Sequence, residues 1–190
     1  TRQLARPLES LALYLENHWP TVLPSRGDEE AADEWLRRHA ATLQRNPTLC
    51  ALHPGSGGAR KNWPVENWAA LGRMIMDSGL RPTLLLTGGE ADHAALGHLS
   101  KAWSDDPAIV ARDLPLPTLA ALLQRCRFFL GHDSGVSHLA AAVGTPSVLL
   151  FGPTDPSIWA PPHRHVTVVQ ASNGDLRNLS VDTVRNAVLR

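Results

Sequence analysis

Thr48-Leu49-Cys50-Ala51-Leu52-His53-Pro54-Gly55-Ser56-Gly57-Gly58-Ala59-Arg60-Lys61-Asn62-Trp63-Pro64 decides the fold of this 190-residue chain. Thr48 to His53 reads as a buried strand, and Pro64 opens a helical pattern that runs to Ser78. A small-residue loop with one lysine therefore stands at the carboxyl end of a strand, where open α/β sheets bind ligands. Gly55, Gly57 and Gly58 let the backbone approach an anion closely, and Lys61 supplies a point charge suited to a phosphate. The loop lacks the Gly-Lys-Ser/Thr ending of a P-loop, and Gly-x-Gly-x-x-Gly does not occur in it.

Downstream the strand–helix alternation continues. Strands are expected at Pro82–Thr87, Ala108–Ala111, Arg127–Leu130, Pro146–Phe151 and His165–Val169, with helices at Glu90–Trp103, Thr118–Arg125, Val136–Val143 and Ser180–Arg190. Continuous apolar strands between helices predict an α/β domain, a Rossmann-like parallel sheet of about six strands with helices on both faces. The first region lacks strands. Leu4, Leu8, Leu11 and Leu15 recur at helical spacing, and Asp28 to Leu43 forms a second helical stretch with Ala32, Trp35, Leu36 and Ala40 or Leu43 on one side. Residues 1–45 thus read as a helical connector, and residues 46–190 as the sheet domain.

Two more loops stand at strand ends. In Gly131-His132-Asp133-Ser134-Gly135-Val136-Ser137-His138, a helix starting near Val136 would offer free N–H groups at Ser134, Gly135 and Val136, a ready anion site. The plainer reading is that Asp133 or Ser134 only caps that helix and His138 only belongs to it. A serine-hydrolase elbow is excluded, because the spacing is Gly131-x-x-Ser134-Gly135 rather than Gly-x-Ser-x-Gly. In Thr87-Gly88-Gly89-Glu90, Glu90 can hydrogen-bond ribose hydroxyls or serve as a first-turn acid, with Asp92 as a substitute.

Formal net charge is zero, so the basic field of a nucleic-acid binder is absent. No apolar run has the length of a bilayer span, and no signal peptide is visible. Cys50 and Cys126 read as buried free thiols of a reducing compartment. His163 and His165 lack the company a zinc site needs and read as surface-loop residues. Asn178-Leu179-Ser180 fits the glycosylation pattern, but Ser180 reads better as the cap of the last helix.

His53-Pro54-Gly55-Ser56, Lys61-x-Trp63-Pro64, Gly88-Gly89, Asp133-Ser134-Gly135-x-x-His138-Leu139-Ala140-Ala141 and Gly144-Thr145-Pro146 running into Phe151-Gly152-Pro153-Thr154-Asp155-Pro156 together resemble glycosyltransferase family 9, the heptosyltransferase-like enzymes of GT-B fold. The resemblance covers roughly Asp28 to Arg190. It implies one GT-B lobe, the carboxyl-terminal lobe that binds a nucleotide-sugar donor, typically ADP-heptose. It also implies inverting, metal-independent transfer to a lipopolysaccharide core acceptor, with no cofactor. The acceptor and the catalytic base would belong to an amino-terminal lobe of which only the connector is expected here, so no catalytic residue is assigned. Carried over by position, Lys61 would neutralise the donor diphosphate, Ser134 and Gly135 would hydrogen-bond it, and His138 would lie near the phosphates. Asp133 would meet sugar hydroxyls, Glu90 the ribose and Leu116 to Thr118 the base, while Gly55 and Ser56 would line the phosphate side. The family implies a cytoplasmic protein, at the inner face of the inner membrane, with at most peripheral membrane contact. The alternatives are a stand-alone nucleotide-binding module and a lobe of a sugar-nucleotide epimerase.

Overall fold

The computed structural model describes residues 19–39 and 47–189. The expected leucine-spaced helix at Leu4–Leu15 and the tail of the second stretch, Ala40 and Leu43, lie outside the described residues. Helix α1 spans Arg26–Arg38. It starts two positions ahead of Asp28 because Ser25 and Asp28 form a capping box: the Asp28 N–H donates to Ser25 Oγ at 3.3 Å, and the Ser25 N–H donates back to the Asp28 carboxylate at 2.8 Å.

Six strands form one sheet: β1 (Leu49–His53), β2 (Thr83–Gly88), β3 (Ala108–Arg112), β4 (Phe128–His132), β5 (Ser147–Phe151) and β6 (Val166–Gln170). The order is β3-β2-β1-β4-β5-β6 and every pairing is parallel. The expected strands are all present, within one or two residues of their predicted ends. Helices α2 (Val65–Met76), α3 (His93–Ala102), α4 (Leu116–Gln124), α5 (Gly135–Ala142), the short α6 (Pro156–Trp159) and α7 (Val181–Val188) follow in turn. Ser180 caps α7 through the Thr183 N–H at 3.2 Å.

The period of two along each strand divides the core into two layers. Cys50, Leu52, Leu84, Leu86, Phe128, Leu130, Val148 and Leu150 face one side, where Trp68, Leu71 and Ile75 of α2, Leu96 and Leu99 of α3 and Val184 of α7 cover them. Ala51, Leu85, Phe129, Leu149 and Phe151 face the other side, under Leu119, Leu122 and Leu123 of α4 and Ala140 of α5. Ala32 of α1 is fully buried in this second layer, with Trp35 and Leu36 packed against it. Arg125 ties α1 down further by donating to the Glu29 carbonyl at 3.1 Å and to the Asp33 carboxylate at 2.8 Å. Helices thus cover both faces of a parallel sheet, which explains strands with no polar alternation.

Cys50 and Cys126 are buried and unbridged. Burial pushes the Cys50 thiol up to about 12 and that of Cys126 up as well, so neither offers a thiolate near neutral pH. Among the described residues, no helix is long and apolar enough to cross a membrane.

Candidate functional site: a pocket at the switch point

The strand order reverses between β1 and β4. Sheets of this order bind ligands in the crevice outside the carboxyl ends of the strands at that reversal. The glycine-rich loop follows β1 and the Asp133-Ser134 turn follows β4, so the topology brings the two sequence motifs side by side. A cavity of about 650 Å³ opens there. Its polar wall includes His53, Ser56, Asp92, Ser134 and His138, and its apolar wall includes Val22, Leu116, Val136 and Leu139.

The β4–α5 turn is built locally. Ser134 is the N-cap of α5, accepting from the Ser137 N–H at 3.3 Å, and its hydroxyl lies 3.0 Å from that of Ser137. The Ser137 hydroxyl in turn donates to the His132 carbonyl. The first N–H groups of a helix have no acceptor within it, so those of Gly135 and Val136 are presented at the cavity wall. The capping role and the anion-site role are therefore compatible. Gly144, at φ 88°, ends the helix with a left-handed residue that a side chain would strain.

The β1–α2 loop is held from a distance. Lys61 reaches across it, donating to the Asp133 carbonyl at 3.0 Å and to the Asp133 carboxylate at 3.2 Å. The Ser56 hydroxyl donates to the Gly58 carbonyl at 2.9 Å and lies 2.6 Å from Asn62 Oδ1. Gly55 does not line the cavity. Its missing side chain makes room for a carboxylate of the chain itself, since a Cβ there would fall 1.7 Å from Asp92 Oδ1. Asp92 also accepts from the Gly89 N–H at 3.0 Å and stands in the cavity wall, whereas Glu90 is exposed and outside it. Of the two carboxylates after β2, the second is the one the fold turns inward. Lys61 and Asp133 sit behind the wall as an ion pair, and Ser56, Ser134, Gly135 and His138 line it.

Three histidines shape the site. Burial holds His53 below the ordinary histidine range, and its Nδ1 donates to the Thr87 carbonyl at 2.9 Å. Burial pushes His132 down to about 4. Partial burial lowers His138, while the Asp133 charge works in the opposite direction. His163 and His165, expected as surface-loop residues, are half-buried and bonded to backbone carbonyls, of Pro20 at 2.8 Å and Ala141 at 3.0 Å. With the Val22 N–H donating to Ala142 at 2.9 Å, they dock the 19–22 segment against α5, and Pro20 and Val22 complete the wall. Sequence reasoning missed His53, His132 and this segment. The two histidines end their strands, so their position at the sheet's carboxyl edge was the available signal. Among the described residues, no group of three or more His, Cys, Asp or Glu side chains is placed to hold a metal ion.

Residues 2–187 match the family model described as glycosyltransferase family 9 (heptosyltransferase). The chain belongs to glycosyltransferase family 9. Lipopolysaccharide heptosyltransferase 2 of Escherichia coli is 27% identical over 164 residues, which are 82% of this chain and 44% of that protein. The family 9 glycosyl transferase of Veillonella parvula superposes with a TM-score of 0.82 at 23% identity, covering 97% of this chain and 57% of the other. Escherichia coli heptosyltransferase WaaC, solved with ADP, superposes with a TM-score of 0.74 at 23% identity, over 98% and 55% of the two chains. The family 9 chain described here spans about half the length of the curated relatives it matches.

Proposed function

We propose that this family 9 chain is a donor-binding lobe that holds a nucleotide-diphosphate sugar, ADP-heptose, for inverting transfer to a lipopolysaccharide core acceptor. The observation that carries the reading is the convergence of both loops on one cavity at the switch point, with Ser134, Gly135 and His138 in its wall and Lys61 beside them. That a similar fold was solved with ADP supports the choice of nucleotide. Glycosyl transfer breaks the anomeric carbon–oxygen bond and leaves charge on the diphosphate. Lys61 and the N–H groups of the α5 start can stabilise that charge, because they are fixed before it develops. Asp92, in the wall where Glu90 is not, takes the ribose hydroxyls, and Leu116 flanks the base. Asp133, paired with Lys61 behind the wall, orients the lysine. The acceptor and its base come from a further lobe, in a protein that works in the cytoplasm at the membrane face.

Calorimetric titration with ADP, UDP and GDP tests this reading. ADP is expected to bind selectively. Lys61→Ala removes a charge-assisted hydrogen bond of about 1.5–3 kcal/mol, about a ten- to hundredfold loss of affinity, and leaves the thermal transition in place. Equal affinity of Lys61→Ala and the parent chain would refute the role of Lys61. A preference for UDP or GDP would refute ADP-heptose as the donor.

A further inference from the structure

His132 does not line the cavity, yet it touches the loop that bears Lys61 at both ends. It is the last residue of β4 and fully buried. Its Nε2 accepts the Trp63 N–H at 2.8 Å. That bond requires an unprotonated Nε2, so Nδ1 carries the hydrogen and donates to the Gly55 carbonyl at 3.1 Å. Gly55 and Trp63 bracket the segment that carries Lys61, and the residue after His132 is Asp133, which holds the Lys61 amine through two oxygens. The Trp68 ring stands edge-on to the imidazole at 5.3 Å between centroids. A backbone donor and a backbone acceptor from opposite ends of one loop thus meet on a single rigid ring.

We propose that His132 is a positioning residue: in its neutral Nδ1–H form it spans residues 55–63 and sets Lys61 against Asp133 at the anion site. The proposal rests on the donor-lobe reading for what Lys61 then binds. Imidazole suits the task because it offers one donor and one acceptor on a ring that cannot flex. A carboxamide has the same groups on a shorter reach, and a phenyl ring has neither. Burial keeps the ring neutral, and the nearby positive charge of Lys61 and the His53 ring act in the same direction. A proton on Nε2 would face the Trp63 N–H with a second donor and open the loop.

The test uses the two lysines of the chain, Lys61 and Lys101. Lys101 is exposed and remote in sequence, so it serves as an internal standard. Brief acylation with acetic anhydride, read by peptide mass spectrometry without ligand, should label Lys61 slowly relative to Lys101 in the parent chain. In His132→Phe the ratio should rise several-fold, with a smaller rise in His132→Asn, while both variants keep a cooperative thermal transition. ADP titration adds a double-mutant cycle: His132→Phe should lose about tenfold in affinity, and should cost nothing further in a Lys61→Ala background. An unchanged labelling ratio in either folded variant overturns the proposal. So does a loss that multiplies independently with that of Lys61→Ala. Failure of both variants to fold would make His132 a purely structural residue and overturn it as well. If the parent chain binds no ADP, the donor reading fails, and the labelling ratio still judges the strut.

Discussion

The two loops at the switch point are built on opposite plans. The β4–α5 turn forms its helix start from local hydrogen bonds among Ser134, Ser137 and the His132 carbonyl. The β1–α2 loop is held by residues far along the chain: Asp133 on Lys61, His132 on Gly55 and Trp63, Leu179 on the Trp63 indole, and Asp92 beside Gly55. The first plan supplies fixed backbone dipoles at little entropic cost. The second brings a flexible lysine to the same place only by spending contacts from three other parts of the fold. Damage to the anchors of the long loop should therefore spread to stability and binding together, whereas damage to the turn, or to Lys61 itself, should stay local.

Trp63→Ala is the largest expected break. The Trp63 side chain is 2% exposed, donates from Nε1 to the Leu179 carbonyl at 2.9 Å and meets Trp68 edge-on at 5.6 Å between centroids. Truncating a buried aromatic of this size costs about 3–5 kcal/mol. Urea unfolding should show that loss, and ADP affinity should fall with it, because the segment carrying Lys61 loses its far anchor. A cost near that of a surface substitution would mean that the loop is not anchored through Trp63.

The same contrast explains what the sequence disclosed. The central strands β1, β2, β4 and β5 were legible because each buries both faces, which leaves an apolar run between turn residues. The β4–α5 turn was legible for the same local reason: Ser134 caps its own helix at a spacing that sequence displays. The partners of the long loop were not. Nothing near Gly55 shows that its empty space will receive Asp92. Nothing near Trp63 shows that a histidine from β4 will accept its N–H. Glu90 illustrates the cost of local reading, since the tight turn Glu90–Asp92 carries the first acid outward and the second into the wall.

A pH titration of stability sharpens the comparison next. His132 binds a proton at about 4 when folded and at 6.5 otherwise. Between those values the unfolded chain holds the proton and the folded chain does not, so stability is complete above pH 6.5 and falls as pH drops towards 4. The full loss is about 3 kcal/mol. His53, also held low by burial, adds to the slope in the same direction. Urea midpoints measured from pH 7 to pH 4 should follow this course, and His132→Asn should flatten it. An equally steep slope in His132→Asn would place the titrating group elsewhere.

Ser134→Ala is the smallest expected effect and the one that separates the two plans. It removes the acceptor of the Ser137 N–H and the partner of the Ser137 hydroxyl, a cap worth about 1 kcal/mol. For a domain of this size that lowers Tm by about 2–4 °C. The N–H groups of Gly135 and Val136 survive the substitution, because they belong to the backbone. If those dipoles carry the anion site, ADP affinity should fall by less than in Lys61→Ala, and the change in Tm should exceed anything Lys61→Ala produces. If affinity collapses while Tm barely moves, the hydroxyl itself is the contact and the helix start is only its support. Calorimetry on the two variants, set beside their melting curves, distinguishes a site made of backbone from one made of side chains.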